Sequence, residues 1–131
     1  MRLLIADDDP MLQKLYRKIA QRYGLTIVAM AGNGEEAVRM YSEYRDEIDI
    51  VLLDHQMPRK CGVDAAREIM ASDCRAIIVL ATGDYIEEQA AIQAGFRAWI
   101  QKPFMNDALV CLLEETWRST SALPATIGLE Q

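Results

Sequence analysis

Residues 2–10 read "RLLIADDDP": a short, mostly apolar run, Arg2 to Ala6, leads straight into the adjacent carboxylates of Asp7, Asp8 and Asp9, and Pro10 follows. An apolar run of this length, without polar alternation, suits a strand buried on both faces. Four more such runs follow: "TIVAM" (26–30), "DIVLL" (49–53), "AIIVL" (76–80) and "RAWIQ" (97–101). The segments between them carry helical period. Leu12, Leu15, Tyr16 and Ile19 fall on one face, as do Ala37, Val38, Tyr41 and, more loosely, Ile48, then Val63, Ala66, Ile69 and Met70. Ile86, Ala90 and Ala94 form a narrower stripe, and Leu109, Leu112, Leu113 and Thr116 line a last helix. Strand and helix thus alternate five times. The pattern predicts an α/β fold: a (βα)5 doubly wound, five-stranded parallel sheet with right-handed crossovers, covered by helices on both faces as a three-layer α/β/α unit.

Start and stop signals agree with this division. Asn33 with Glu36, and Asp84 with Glu87, have the spacing of a capping box, in which the first side chain covers free N–H groups and the acid reaches back. Asp9, next to Pro10, reads as the cap or first-turn acid of the first helix. Gly24 and Gly95 stand where helices should end, since glycine tolerates the left-handed conformation there.

With 131 residues, the chain has the size of one domain. An apolar fraction of 51% supports a core, and 26% charged residues argue against disorder and against a membrane protein. No apolar run approaches the roughly 20 residues of a spanning helix, and "MRLLIA" meets acids at once instead of forming a signal peptide, so a cytoplasmic location is expected. Cys61, Cys74 and Cys111 are odd in number and widely separated, which points to reduced thiols, not to a disulfide framework or a zinc site. A net charge of −6 disfavours direct binding of nucleic acid, and protein partners are expected instead. From Ser119 the stretch "STSALPATIGLEQ" loses helical pattern, which predicts a domain over 1–118 and a tail or linker stub over 119–131.

In doubly wound sheets ligands bind at the carboxyl ends of the strands, near the point where strand order reverses. The first, third, fourth and fifth strands end on Asp7 and Asp8, Asp54, Thr82 and Lys102. Two carboxylates about 5 Å apart repel by on the order of 3 kcal/mol in an effective dielectric near 20, so a cluster of three calls for a cation. Mg2+, with Mn2+ as the alternative, suits such a set, because it takes oxygen ligands and commonly uses one or two carboxylates with phosphate oxygens. A carboxylate beside it can act as a nucleophile and form an aspartyl-phosphate. The ammonium and the hydroxyl would share the charge of the transferring phosphoryl group.

These residues lie within "IADDDP", "LLDHQMPRKCG", "LATGD" and "IQKPF", and in that order and spacing the chain resembles the receiver domain of two-component response regulators over about residues 2–117. The resemblance implies a flavodoxin-like strand order of 2-1-3-4-5. It implies that Asp54 accepts a phosphoryl group from a phosphohistidine on a sensor histidine kinase or histidine phosphotransfer protein. Asp8 would bind Mg2+ directly, Asp7 mainly through water, and Asp54 and the backbone carbonyl of Gln56 would complete the protein ligands. Thr82 and Lys102 would hold the phosphoryl oxygens, and the bond from Lys102 to Pro103 would be cis. Trp99, three residues before Lys102, matches the aromatic that turns inward when the threonine is drawn toward the phosphate. Gln56 and Asp84 flank the path of attacking water and would tune the lifetime of the phosphoryl group. His55 reads as an exposed loop residue, and Pro58 and Gly62 as constraints on the loop after Asp54.

The function so implied is a phosphorelay switch, not a turnover enzyme. Phosphorylation would change the face built from the fourth helix, fifth strand and fifth helix, and with it partner binding or dimerisation. One alternative is a small Mg2+-dependent phosphatase passing through an aspartyl-phosphate. Those enzymes resemble haloacid dehalogenases, carry Asp-x-Asp after the first strand and usually need a cap domain. A pseudo-receiver used only for binding is the other. No helix-turn-helix, catalytic domain or basic surface follows Trp117 in this sequence, and the downstream effector is not specified by it.

Overall fold

The computed structural model of the chain describes residues 1–122. Five strands, β1 (Arg2–Ala6), β2 (Thr26–Ala31), β3 (Ile50–Leu53), β4 (Ile78–Thr82) and β5 (Phe96–Gln101), form one sheet in the order β2-β1-β3-β4-β5. Every pairing is parallel. The helices between them are α1 (Pro10–Tyr23), α2 (Gly34–Tyr44), α3 (Gly62–Ser72), α4 (Glu88–Ala94) and α5 (Asn106–Ala122), with a 3-10 turn at Arg45–Glu47. The expected three-layer parallel architecture and its strand order are therefore what the chain adopts.

Strand residues alternate between two cores, as the period of two demands. Leu3, Ile5, Ile50, Leu52, Val79 and Ala81 face Tyr16 and Ile19 of α1 and Leu109, Val110 and Leu113 of α5. Leu4, Ala6, Val51, Leu53, Ile78 and Leu80 face Ala37 and Tyr41 of α2, Ala66 and Ile69 of α3, and Ala91 and Ala94 of α4. The small residues on the second face let three helices lie close to the sheet. Because β1 is an interior strand between β2 and β3, with α1 on one face of the sheet and α2 on the other, the acids after Ala6 emerge at its carboxyl end in the crevice between these layers.

The local signals hold at most ends. Asp9 caps α1, its side chain accepting from the Met11 N–H (2.9 Å), with Pro10 in the first turn. Asn33 Oδ1 accepts from the Glu36 N–H (2.8 Å), and Glu36 Oε1 accepts in return from the Gly32 N–H (2.8 Å). Gly24 and Gly95 close α1 and α4 with φ of 71° and 105°.

Several expectations need correction. Asp84 does not cap α4: the helix begins at Glu88, and the Asp84 N–H donates to Thr82 Oγ1 (3.1 Å). That bond ties residues 82–84 into a local turn, so the chain cannot enter a helix there. The buried stripe of α4 is Ala91 and Ala94, while Ala90 is exposed and Ile86 packs from outside the helix. Strand β4 lies two residues later than expected, because its ladder with β5 runs on to Thr82, opposite Gln101. Helix α5 continues past Ser119 to Ala122. Its polar end is held by hydroxyls donating one turn back, Thr116 Oγ1 to Leu112 O (2.7 Å) and Thr120 Oγ1 to Thr116 O (2.8 Å). The rest of the expected tail, 123–131, lies outside the described residues. No helix among the described residues is long and apolar enough to cross a membrane.

Candidate phosphoacceptor and cation site

The crevice at the carboxyl ends of β1, β3, β4 and β5 gathers Asp7, Asp8, Asp54, Thr82 and Lys102. Strand pairing sets the acids side by side: the Asp7 N–H donates to Ala31 O (3.0 Å) and the Asp54 N–H to Ala6 O (2.9 Å), so each aspartate is carried one step beyond the ladder by backbone bonds. Asp7 is fully buried, Asp54 is buried and Asp8 is exposed. One carboxylate oxygen from each lies within 4.8 Å of the other two.

Lys102 is the only cation joined to this cluster among the described residues. Its Nζ lies 2.8 Å from Asp7 Oδ2 and 3.3 Å from Asp54 Oδ1. The Lys102–Pro103 peptide is cis, and the Lys102 N–H donates to Thr82 O (2.8 Å), which fixes the lysine to the end of β4. Burial pulls the lysine down, but its hydrogen bond and charge contacts with Asp7, and then with Asp54, outweigh that and leave its pKa raised. Lys102 therefore stays charged. Burial pushes the Asp54 carboxyl above the ordinary carboxylate range; Lys102 opposes that shift, Asp7 adds to it, and the His55 N–H opposes it.

The two oxygens of Asp54 are not equivalent. Oδ1 accepts from the His55 N–H (2.8 Å) and faces Lys102, whereas Oδ2 has no protein hydrogen-bond partner among the described residues. The loop behind Asp54 is pressed against it: the Gly62 N–H donates to His55 O (2.9 Å), and a Cβ at Gly62 would come within 2.2 Å of Asp54 O. Gly62 is thus obligatory for the close approach of α3, a tighter demand than the loop constraint expected of it.

Thr82 is buried at the end of β4, with its hydroxyl accepting from the Asp84 N–H. Gln56 is exposed two residues beyond Asp54, and Asp84 is exposed two beyond Thr82. Trp99 is 38% exposed, and with Leu80, Thr82, Tyr85 and Ile86 it lines a cavity of about 160 Å³ beside the fourth strand's end. His55 departs from expectation: it is half-buried, and its Nδ1 is enclosed without a hydrogen-bond partner among the described residues. Cys61, Cys74 and Cys111 are free thiols.

Two contributors escaped the sequence reading. Gln13 of α1 donates its Nε2 to Asp7 O (2.7 Å). Tyr16 stacks on Phe104 with ring centroids 6.3 Å apart, and burial, then the charges of Asp7, Asp54 and Asp9, push its phenol well above the usual range. A glutamine bordering the apolar stripe of α1 was the signal for the first; the second had none.

The donor set is hard oxygen, close-spaced and anionic, which fits Mg2+ and excludes a soft thiolate metal site. The family model described as the response regulator receiver domain matches residues 3–114. The chemotaxis protein CheY of Bacillus subtilis is 35% identical over 88% of this chain and 96% of its own length. CheY of Thermotoga maritima is 37% identical over 83% of this chain and 91% of its own. Among solved structures, a LuxR-family two-component response regulator from Aurantimonas superposes with a TM-score of 0.83 at 30% identity, covering 90% of this chain and 85% of that one. A CheX–CheY complex with BeF3 and Mg2+ from Borrelia burgdorferi gives 0.82 at 28% identity, covering 93% and 88%. Matched across its sheet and all its crevice motifs, the chain belongs to the response regulator receiver domain family of two-component signalling.

Proposed function

We propose that Asp54 is the phosphoacceptor of a signalling switch, and that the donor is a phosphohistidine on a sensor kinase or phosphotransfer protein. The observation that carries this reading is the asymmetry at Asp54. One oxygen is held by the His55 N–H and Lys102, and the other is left free in the crevice. Oδ2 attacks phosphorus, the P–N bond of the phosphoimidazole breaks, and its electron pair returns to the departing ring. Asp7, Asp8 and Asp54, with the Gln56 carbonyl, would hold Mg2+, and the ion would supply positive charge that offsets the carboxylates and the phosphoryl group. Lys102 offers its ammonium to an equatorial oxygen from a place already fixed by Thr82 O. The hydroxyl of Thr82 has its oxygen occupied by the Asp84 N–H, so its proton is the part free to donate to the phosphoryl group.

The same reading places the response at the β5 edge of the sheet, beside the end of the buried β4. Thr82 and Trp99 share one small cavity, so a shift of the hydroxyl toward Asp54 empties space that the indole can fill. The α4, β5 and α5 face then presents a different surface to a partner or a second copy. Gln56 and Asp84, both exposed at the mouth, set the access of water to the acyl phosphate. The chain is a switch and not a turnover enzyme, and the phosphatase alternative is not favoured by its family.

The test is labelling with acetyl phosphate and Mg2+. Wild-type protein is expected to take up hydroxylamine-sensitive phosphate, and Asp54→Ala to take up none. In a Trp117→Phe background, Trp99 emission should change on adding beryllofluoride with Mg2+. Labelling that survives in Asp54→Ala overturns the assignment of the acceptor, and an unchanged spectrum at saturating reagent overturns the switch.

A further inference from the structure

We propose that Gln13 is a positioning residue that holds the acidic turn in the shape a divalent cation requires; this rests on the reading of Asp7, Asp8 and Asp54 as the Mg2+ site. Asp8 is the exposed member of the cluster, and its carboxylate has no hydrogen-bond partner among the described residues. Its place is instead set by the two peptide groups on either side. The carbonyl of the Asp7–Asp8 peptide accepts from Gln13 Nε2 (2.7 Å). The N–H of the Asp8–Asp9 peptide donates to Asp7 Oδ1 (2.9 Å). Since peptide groups are planar, fixing both fixes the backbone at Asp8 and so the direction of its side chain.

That restraint has work to do. Three adjacent carboxylates repel, and the exposed one lowers its energy by swinging into water. The anchor for the restraint is rigid: Gln13 lies in the first turns of α1, its own N–H donating to Asp9 O (3.0 Å), and Asp9 is the cap of that helix. Leu12, Leu15 and Tyr16 around it all pack on the core, so a half-buried primary amide here needs a polar partner, and the Asp7 carbonyl is the one it has. Its chemical type also matters. A lysine or arginine would donate equally well but would add a positive charge that competes with the metal, whereas an amide donates and stays neutral.

Groups that orient metal ligands typically govern affinity by 10–100-fold. With the three carboxylates left in place, the loss on removing the Gln13 donor belongs at the lower end, about tenfold. Gln13→Met keeps length and packing and removes the donor, and Gln21→Met, on the exposed face of the same helix, is the control. Three readouts apply: calorimetric titration with MgCl2, the Mg2+ concentration that half-saturates labelling by acetyl phosphate, and amide exchange at Asp9 in EDTA. Gln13→Met should raise the first two about tenfold, leave the labelling rate at saturating Mg2+ unchanged, and speed exchange at Asp9; Gln21→Met should move none of them. Unchanged Mg2+ affinity in Gln13→Met overturns the inference while leaving the site intact. A lower rate at saturating Mg2+ with a depressed melting temperature also overturns it, since that is general loosening. Wild-type protein that fails to bind Mg2+ overturns the site reading and the inference together.

Discussion

Burial raises the Asp54 carboxyl above its usual range, and Asp7 adds to the shift against the opposing pull of Lys102. The sign of the consequence for folding follows by linkage. An acid whose folded pKa exceeds its unfolded value binds its proton better when folded. Its ionisation therefore disfavours the folded state, not at all below the unfolded value near 4 and in full once the pH exceeds the folded value. The carboxylate proposed above to attack phosphorus thus weakens the metal-free protein at neutral pH. Asp54→Asn keeps the volume and removes the charge, so the variant should melt higher than wild type in EDTA at pH 7. The gain is on the order of 1 kcal/mol, because Lys102 already offsets part of a repulsion of about 3 kcal/mol at 5 Å. Thermal melts should show the difference vanish toward pH 3 and, on the proposed role of Asp54 as a ligand, shrink in saturating Mg2+. At this scale the sequence was informative about identity and silent about environment. Asp7, Asp8, Asp54, Thr82 and Lys102 were legible because strand ends focus ligands, whereas the enclosed Nδ1 of His55 and the reach of Gln13 to Asp7 O depend on side-chain directions that no spacing encodes.

Elements meet around the crevice through backbone contacts closer than any side chain allows. Helix α3 begins at Gly62, where a Cβ would stand 2.2 Å from Asp54 O, and α2 begins at Gly34, where one would stand 2.1 Å from Lys60 O. In both places the obstructing atom is main chain, so relief requires a helix to move, not a rotamer to change. Gly62→Ala should lower stability by ~1–3 kcal/mol in urea denaturation. It should also slow labelling of Asp54 at saturating Mg2+, since the atom displaced belongs to the proposed acceptor itself. Gly34→Ala offers the contrast, with a similar loss of stability and a smaller effect on labelling, because Lys60 lies outside the cluster. The helix starts were legible where a side chain closes the cap, as Asn33 and Glu36 do. The same spacing misled at Asp84, because the Asp84 N–H bonds to Thr82 Oγ1 and α4 does not begin until Glu88. Capping spacing names which groups are able to pair, and the neighbouring strand end decides which of them do.

The two ends of the sheet carry titrating groups of opposite effect, and together they shape the pH dependence of the whole domain. At the end away from the crevice, Tyr41 of α2 donates its hydroxyl to Asp73 Oδ2 (2.6 Å), just after α3. That bond holds the Asp73 carboxyl below the ordinary range, with the Arg75 N–H and the charges of Arg45 and Arg75 also lowering it against a smaller effect of burial. An acid with a depressed folded pKa stabilises the fold above its unfolded value near 4 and loses that contribution as the pH falls through the folded one. Tyr41→Phe should therefore lower stability at pH 7 by about 1 kcal/mol, a hydrogen bond to a charged group discounted for the partial exposure of Asp73. The loss should disappear below the folded pKa. Asp54→Asn acts with the opposite sign from the other end of the strands, separated by the length of the sheet and sharing no partner with Tyr41. Distant sites of this kind add to within about 0.5 kcal/mol. The double variant should accordingly match wild type near neutrality in EDTA, yet show a flatter stability curve between pH 3 and 7, measured by urea titration at fixed pH. A double variant that departs from the sum by 1 kcal/mol or more would mean that the crevice and the far end are coupled through the sheet, which is the coupling a phosphorylation switch would need to reach beyond α4, β5 and α5.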